Sequence, residues 1–359
     1  MSGVNDAPVV SGLPPEELAL LLAPQPRFRA TQIVKWIASG AADFAAMDNL
    51  PLHLRNELAE RFTLRPAVEY IQHKGDDGTV KLTVQFNGGA QVEAVLLRSK
   101  TVQKTVRYTA CISTQAGCPA GCIFCKTGSL GFHRNLHSAE IVEQFLLLKA
   151  IALGGEPSLQ HSGAHAISSI VIMGMGEPLL NLDELRKAIT VISSPQGLNV
   201  SCRRITVSTC GIVDGIISLA DTGPAIRLAL SLPSADENLR QRLMPISAGH
   251  PLPKIKKALH YFQKGGGGRI TLEVVLLGGI NTGSRDAAGI AQFAAGLDTV
   301  VNLIPWNPVP GLVFEGKPLR EASAADLASF SRQLEKFGLK VTRRFRRGRG
   351  VMGACGQLG

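Results

Sequence analysis

The spacing of apolar residues predicts two different segments in the first third of the chain. In residues 1–64, apolar positions recur three and four apart, as in "RATQIVKWIASG" and "LPLHLRNELAERF", which predicts a small helical accessory domain. In residues 65–104 the apolar positions alternate, and "VEYIQHK" and "TVKLTVQF" flank the turn "GDDG". This pattern predicts a β-hairpin, to which "QVEAVLLR" adds a third strand.

Residues 105–345 alternate between short β-rich runs and amphipathic helices. The β-rich runs are "YTACIST", "SSIVIMG", "RRITVST", "AIRLALS", "RITLEVVLL" and "VVNLIPW". Such alternation predicts an α/β fold with a parallel sheet covered by helices. Six units are too few for a closed eightfold barrel, so we expect a partial (βα)6 barrel rather than a doubly wound sheet. Residues 346–359 form a C-terminal tail, and ligand sites are expected at the carboxyl ends of the strands.

Composition narrows the class of protein. The chain has 359 residues, of which 45% are hydrophobic and 18% charged, the balance of an ordinary globular protein. No apolar run approaches the roughly 20 residues that span a bilayer, and the N-terminus lacks the pattern of a signal peptide. We therefore expect a cytoplasmic protein without a membrane partner, where clustered cysteines more often serve metal or redox chemistry than structural disulfides.

Charge points to a polyanionic partner. The net charge is +10, and five arginines fall within the seven positions from Arg343 to Arg349. Arginine binds phosphates well because its planar guanidinium offers several donors in a fixed fork. This favours RNA as the partner, although a solvated tail on a merely basic protein would show the same composition.

The stretch "CISTQAGCPAGCIFCKTG" carries the strongest chemical signal. Cys118, Cys122 and Cys125 stand at the spacing C-x3-C-x2-C, directly after the first predicted barrel strand. A structural zinc site usually has four closed ligands, so three thiolates fit it only if a distant histidine completes the set. Three thiolates can instead hold three irons of a [4Fe–4S] cluster and leave the fourth iron open to a small chelating molecule. This arrangement is typical of radical S-adenosylmethionine (SAM) enzymes.

Several segments together resemble one family within that superfamily. These are "CPAGCIFCKTGSLGFHRNL", "MGMGEPLLN", "LRQRLMPIS", "VNLIPWNPVPG" and "ACGQL", and the N-terminal helices are similar to the accessory domain of the same family. The family is that of the RlmN/Cfr radical SAM RNA methyltransferases. The resemblance covers nearly the whole chain. It implies a [4Fe–4S] cluster, two SAM molecules per turnover, and methylation of carbon 2 of an adenosine in 23S rRNA, with tRNA as a further target.

The resemblance also implies roles for three residues outside the cluster loop. Cys355 would take a methyl group from the first SAM, and the radical from the second SAM would activate that methyl group for addition to adenine. Cys111 would then attack the sulfur of Cys355 and release the product, leaving a disulfide. Glu93 would accept the proton of the adenine ring carbon that receives the methyl group. Without the resemblance, we would interpret Glu93 as an exposed strand glutamate.

SAM contacts are implied at strand ends. The matching positions are Gly176, Glu177, Ser208, Ser231, Leu232 and Asn307. The family further implies an electron donor such as flavodoxin or ferredoxin, and we expect a monomer. Cys202 and Cys210 match no role and are interpreted as small buried hydrophobic residues.

Two departures leave the RNA target open. Pro233 stands where the family has a histidine, and Gly350 and Val351 stand where it has an Asp-Ile pair. A Cfr-like enzyme that methylates carbon 8 needs the same residues. Two other classes also remain: a radical SAM enzyme acting on a protein or small molecule, which would not need Cys355, and a zinc-bearing RNA-binding module without enzymatic activity.

Overall fold

The N-terminal segment is helical, as predicted. The computed structural model describes residues 8–66, 68–100, 106–155, 167–344 and 347–359. Three helices, α1 (Pro15–Leu21), α2 (Phe28–Ser39) and α3 (Leu52–Arg61), bury apolar side chains such as Ile33 and Leu58 against one another. The apolar residues recur three and four apart because that spacing places them on one face of a helix.

Ten strands form one sheet. The strands of the chain are β1 (Val68–Lys74), β2 (Val80–Phe86), β3 (Gln91–Lys100), β4 (Val106–Cys111), β5 (Gln115–Gly117), β6 (Phe132–Asn135), β7 (Ile167–Ile172), β8 (Ile205–Thr209), β9 (Arg227–Ser231), β10 (Ile270–Leu276), β11 (Thr299–Pro305), β12 (Val313–Phe314), β13 (Lys317–Pro318) and β14 (Val341–Arg343). The order in the large sheet is β1-β2-β3-β4-β7-β8-β9-β10-β11-β14. Two small sheets pair β5 with β6 and β12 with β13.

The six predicted barrel strands pair in parallel and confirm the α/β prediction. They are β4 and β7 to β11, and neighbours in this set run parallel throughout. A seventh parallel strand, β14, extends the set beyond β11 and was not predicted. Within the described residues the sheet has two free edges, at β1 and β14, so the barrel is partial and open.

Helices cover the outer face of the parallel strands. The short α4 (Lys126–Ser129) directly follows the cysteine loop and contacts the C-terminal tail. The covering helices are α5 (Ser138–Gly155), α6 (Leu182–Ser193), α7 (Val213–Thr222), α8 (Glu237–Leu243), α9 (Leu252–Lys264), α10 (Ser284–Ala294) and α11 (Ala324–Lys336). Each longer helix buries one stripe, for example Ile255 and Leu259 of α9. Across the part of the chain that the model covers, no helix is long and apolar enough to cross a membrane.

The predicted hairpin extension is continuous with the barrel sheet. Strands β1, β2 and β3 pair antiparallel, and β3 pairs antiparallel with β4. The hairpin also touches the tail, because the Gly348 amide donates to Asp77 Oδ2 at 2.8 Å. The predicted boundaries at residues 104/105 and 345/346 fall on positions outside the described ranges and stay predictions.

An ion pair links the N-terminal domain to the barrel. Arg65, just after α3, donates from Nε and Nη2 to the two carboxylate oxygens of Glu143 on α5, at 2.8 and 2.5 Å. The Glu143 side chain is 2% exposed and that of Arg65 is 18% exposed. A bidentate pair that is largely out of water fixes the angle between the two parts.

We predict that Glu143→Ala destabilises the protein by about 2–3 kcal/mol. Removal of one partner leaves a largely buried guanidinium unpaired, and the lower end of the usual cost applies because Arg65 partly reaches solvent. Urea unfolding measures the change. The matched control is Glu57→Ala, which breaks an exposed pair with Arg61 on α3 and is expected to cost under about 1 kcal/mol. Equal losses for both variants would contradict the prediction.

Candidate active site

The cysteine loop is folded tightly between β5 and β6. The Cys118 amide donates to Gly131 O at 2.8 Å, and the Cys125 amide donates to Cys122 O at 3.1 Å. Gly117 has a φ of +73°, and a Cβ there would lie 2.0 Å from Gly131 O. Only glycine fits that position, so the turn that starts the loop is fixed by sequence.

The three loop cysteines line one cavity at the carboxyl ends of the strands. Its volume is about 150 Å³. Among the predicted site residues it is lined by Cys118, Cys122, Cys125, Gly176, Glu177, Ser208, Ser231 and Cys355. These residues come from the loop after β5, from the ends of β7, β8 and β9, and from the tail. The structure thus brings these predicted residues together at the strand ends, where a barrel places its ligands, and their roles stay predictions.

Glu177 is held by backbone donors within this cavity. Its Oε2 accepts from the Cys210 amide at 2.7 Å, and its Oε1 accepts from the Leu179 amide at 3.1 Å. Burial raises the pKa of this carboxyl, and the two backbone donors only partly offset that effect. Gly176 beside it has a φ of +104°, and a Cβ there would lie 2.7 Å from Gln115 Cβ. Glycine at this point therefore lets the backbone pack closely against Gln115.

Burial keeps Cys118 and Cys122 protonated when no cation is bound. Burial raises the pKa of Cys118 to about 12 and that of Cys122 well above its usual value, and neighbouring cysteines raise both further. Within the described ranges, no three His, Cys, Asp or Glu side chains are gathered closely enough to hold a metal ion. The donor set still fits an iron–sulfur cluster, because three soft thiols of one loop face a single cavity and a cation would favour their thiolates.

The C-terminal tail is hydrogen-bonded onto the cysteine loop. The Lys126 amide donates to Gly356 O at 2.8 Å, and Thr127 Oγ1 donates to Leu358 O at 2.6 Å. From the other side, Asn307 Nδ2 donates to Cys355 O at 3.0 Å. Asn307 was predicted to contact SAM, but the structure places its amide on the tail. These three bonds hold Cys355 at the cavity.

Cys111 and Cys355 line a second cavity, of about 430 Å³, inside the barrel. Burial and the neighbouring Cys355 raise the pKa of Cys111 to about 12, while the positive charge of Arg344 opposes the rise. Cys355 has solvent-accessible surface, but many protein atoms surround it. Burial therefore also raises the pKa of its thiol. All seven cysteines lie within the described residues and are free thiols.

The arginine cluster of the tail is divided by the fold. Arg344 turns inward and lines both cavities, whereas Arg343 is exposed. Burial disfavours the charge of Arg344, but Glu273 and the two cysteines more than offset this, so its pKa is raised. Arg349 is paired with Glu321 at 2.5 Å, and Arg346 lies outside the described residues. The expectation of one continuous phosphate-binding cluster is wrong for Arg344.

Glu93 is not part of either cavity. It lines a separate one, of about 500 Å³, with His133 and Gly359. Its Oε1 accepts from Lys81 Nζ at 2.7 Å, and its Oε2 accepts from the Gly359 amide at 2.9 Å. The residue is 5% exposed, so the alternative interpretation as an exposed strand glutamate is wrong.

The remaining predicted positions are structural neighbours of the site. Leu232 is fully buried, and its amide donates to Glu273 O at 2.9 Å. Pro233 O accepts from Asn281 Nδ2 at 2.7 Å. Gly350 and Val351 lie in a short 3-10 turn of the tail, Arg349–Val351.

Sequence reasoning missed three residues that line the first cavity. They are Cys210, Glu273 and Arg344. Cys210 is buried, as interpreted, but it also faces the cavity beside Glu177. Glu273 lies on β10 and Arg344 directly follows β14, and both side chains face the inside of the barrel. The alternation of side chains along a strand is the only feature of the sequence that could have indicated them.

Comparisons with known proteins agree with this geometry. A model of the radical SAM superfamily matches residues 112–288, and a model of the ribosomal RNA large subunit methyltransferase N-terminal domain matches residues 21–64. A probable dual-specificity RNA methyltransferase RlmN from Treponema pallidum is 45% identical over 350 residues, which cover 98% of this chain and 97% of that protein. A relative of the same name from Thermus thermophilus is 38% identical, covering 96% and 91% of the two chains.

A solved structure supports the same assignment. The crystal structure of a radical SAM methyltransferase from Sphaerobacter thermophilus has a TM-score of 0.87 and 34% sequence identity to this chain. The match covers 98% of this chain and 99% of that one. The agreement therefore includes the N-terminal helices, the barrel and the tail.

We predict that Cys111 reacts with iodoacetamide at pH 8 about a hundredfold more slowly in the native protein than in the urea-unfolded chain. Its pKa of about 12 leaves almost no thiolate, which is the reactive form. Because the pKa is raised, the rate should climb with pH and reach no plateau between about pH 7 and 10. Mass spectrometry of the Cys111 peptide measures the rate. A plateau below pH 10 would contradict the prediction.

Proposed function

Because the chain belongs to the RlmN family of radical SAM RNA methyltransferases, we propose that it methylates carbon 2 of an adenosine in 23S rRNA. We propose tRNA as a further target, in keeping with the dual specificity in the names of its relatives. The enzyme would work in the cytoplasm as a monomer, and a flavodoxin or ferredoxin would supply its electrons.

One observation carries the proposal. Cys355 lines both the cavity of the three loop cysteines and the cavity that contains Cys111. In the sequence, Cys355 lies far from the loop cysteines and from Cys111. Three hydrogen bonds, from Lys126, Thr127 and Asn307, hold the tail at these cavities. A radical SAM enzyme that acted directly on its substrate would have no use for a tail cysteine at this junction.

In the proposed site, the loop and the strand ends hold the two cofactors. Cys118, Cys122 and Cys125 would bind a [4Fe–4S] cluster, which supplies the electron that cleaves SAM to a 5′-deoxyadenosyl radical. Glu177 would face the ammonium group of SAM, beside Gly176, which lines the same cavity. Ser208 and Ser231, which line the same cavity, would donate to its polar groups.

The two other cysteines would carry the methyl group and end the reaction. The Cys355 sulfur would accept a methyl group from the first of two SAM molecules, and the activated S-methyl carbon would then bond to the adenine. Once the adduct has returned its unpaired electron to the electron-transfer system and lost its ring proton, attack of the Cys111 thiolate on the Cys355 sulfur would break the carbon–sulfur bond. The bonding pair would leave with the methylene carbon, which takes up a proton to become the methyl group, and the two sulfurs would form a disulfide that a thiol reductant must then reduce. Arg344 lies beside both sulfurs and would favour the thiolate that each step needs.

We still propose Glu93 as the proton acceptor, on the condition that its Oε2 is released from the Gly359 amide. Its two oxygens are occupied by Lys81 and by the amide of Gly359. Since Gly359 is the residue next to Leu358, which lines both cavities, a small shift at the end of the tail would free Oε2 toward the site. Leu232 and Asn307 would then act through the backbone around SAM and Cys355 rather than as direct contacts.

We predict that deletion of the gene removes 2-methyladenosine from 23S rRNA and tRNA, and that expression of the chain restores it. Nucleoside mass spectrometry of the two RNA classes measures the product directly. Loss of 8-methyladenosine instead would assign the Cfr-like reaction at carbon 8. Loss of neither nucleoside would refute RNA carbon methylation and would favour a protein or small-molecule substrate.

We predict that Cys355→Ala abolishes RNA methylation while cleavage of SAM to 5′-deoxyadenosine continues, since the cluster ligands are intact. Cys111→Ala should instead trap RNA covalently on the enzyme, because addition proceeds and release fails. Gel analysis of labelled RNA under denaturing conditions detects the adduct. The matched control is Cys202→Ala, a half-buried cysteine that lines neither cavity, and it should behave as the wild type. Full methylation by Cys355→Ala would overturn the methyl-carrying role.

A further inference from the structure

The inside of the barrel carries polar side chains that the proposed chemistry does not use. Thr109, Ser169 and Thr206 line the cavity that contains Cys111, on the side toward the N-terminal ends of β4, β7 and β8. Thr109 Oγ1 and Ser169 Oγ are 2.8 Å apart. Parallel barrels normally fill this space with branched apolar side chains. Here the three hydroxyl-bearing residues are only half-buried, so the lumen is open to a polar ligand.

Arginines stand at the N-terminal mouth of this lumen. Arg204 immediately precedes β8, Arg227 is the first residue of β9, and both are exposed and line the cavity of Cys111 and Cys355. Arg227 also lines a neighbouring cavity of about 620 Å³, together with Arg203 and Arg269. The two cavities are therefore adjacent, and they connect the surface to the methyl-carrying cysteine.

The charge at this mouth is largely uncompensated. No carboxylate is among the described residues that line either cavity. Arg269 pairs with Asp298 at 2.9 Å, but Arg203, Arg204 and Arg227 make no ion pair within the ranges the structure describes. Several free guanidinium groups around one opening attract a polyanion, and the fork of each suits a phosphate.

We propose that the RNA strand docks at the N-terminal ends of the barrel strands, where Arg204 and Arg227 bind the phosphates that flank the target adenosine. The adenine enters the lumen past Thr109, Ser169 and Thr206 and reaches Cys355 from the side opposite the cysteine loop. This inference rests on the proposed function, since it takes RNA as the substrate. Extrusion of a single base into a pocket is the usual solution when chemistry must reach a ring atom.

The arrangement separates the two ligands of the reaction. The cavity of the loop cysteines lies at the carboxyl ends of the strands, and the arginine mouth lies at their N-terminal ends. Cys355 lines both the cavity of the loop cysteines and the cavity that opens at the arginine mouth. A flexible single strand fits such an opening because only one nucleotide has to pass into the lumen, while its neighbours stay on the charged rim.

The test measures binding of an anticodon stem-loop RNA to the reconstituted holoenzyme by fluorescence anisotropy across a series of salt concentrations. The double variant R204A/R227A should bind about tenfold or more weakly at low salt. Its slope of log affinity against log salt should fall by about 1.4, since each lost phosphate contact to a single strand contributes about 0.7. R204K/R227K should retain most of the slope. R332A, which removes an exposed arginine on the outer helix α11, should match the wild type.

A second measurement avoids reliance on variants that fold poorly. Phenylglyoxal modifies accessible arginines of the wild-type enzyme, and mass spectrometry follows each site with and without RNA. Arg204 and Arg227 should be protected several-fold by RNA, whereas Arg332 should react at an unchanged rate.

The outcomes separate this inference from the proposed function. If the wild type methylates RNA but R204A/R227A keeps its salt slope, or RNA fails to protect the two arginines, the docking site is wrong and the function stands. If the wild type shows no RNA methylation in the same preparation, the proposed function itself fails.

Discussion

The site depends on hydrogen bonds between the end of the chain and the cysteine loop. The backbone carbonyls of Gly356 and Leu358 accept from Lys126 and Thr127, and Asn307 holds the carbonyl of Cys355. Together with the hydrogen bonds of Gly348 to Asp77 and of Gly359 to Glu93, these contacts position the tail, because few apolar side chains of residues 347–359 are buried, Ala354 and Leu358 among them. The methyl-carrying role proposed for Cys355 would need a fixed position of its sulfur, since reacting atoms must approach within van der Waals contact. Backbone carbonyls serve well here because they do not depend on the side chains of the tail.

Burial of ionisable groups sets the chemistry around this tail. Thiols in a site poor in solvent are protonated and unreactive, and the raised pKa of Cys111 shows how strong that effect is. Arg344 is the one cation whose charge opposes the rise at both Cys111 and Cys355 within the described residues. It sits directly after β14, and its amide donates to Leu303 O at 3.0 Å, so the edge strand places it. The edge of the open sheet thus supplies a positive charge near both Cys111 and Cys355.

The sequence was informative where the signal was local. Alternation and helical spacing located all six central strands, because each of them buries at least one face in a continuous core. The C-x3-C-x2-C loop and the glycine-rich strand ends also follow from residue type. Strand β14 was missed because three residues are too few to show a period. With that strand unknown, nothing distinguished Arg344, which faces the lumen with Thr342, from the exposed Arg343. The position of Glu93 depends on the tail, a contact between residues 266 positions apart that no local pattern encodes.

An open barrel with a polar lumen is unfavourable for the free energy of folding unless ligands occupy it. Hydroxyls inside a barrel need hydrogen-bond partners, and those of the half-buried Thr109 and Ser169 bond to each other. A closed eightfold barrel would exclude water from this space and would need apolar residues to fill it. The free edges at β1 and β14 leave the space accessible instead, and the arginines at its mouth favour an anionic occupant. The incomplete closure of the sheet therefore goes together with the polar character of its interior, since each would destabilise the fold without the other. Together they make a passage through which a large substrate can present a single base.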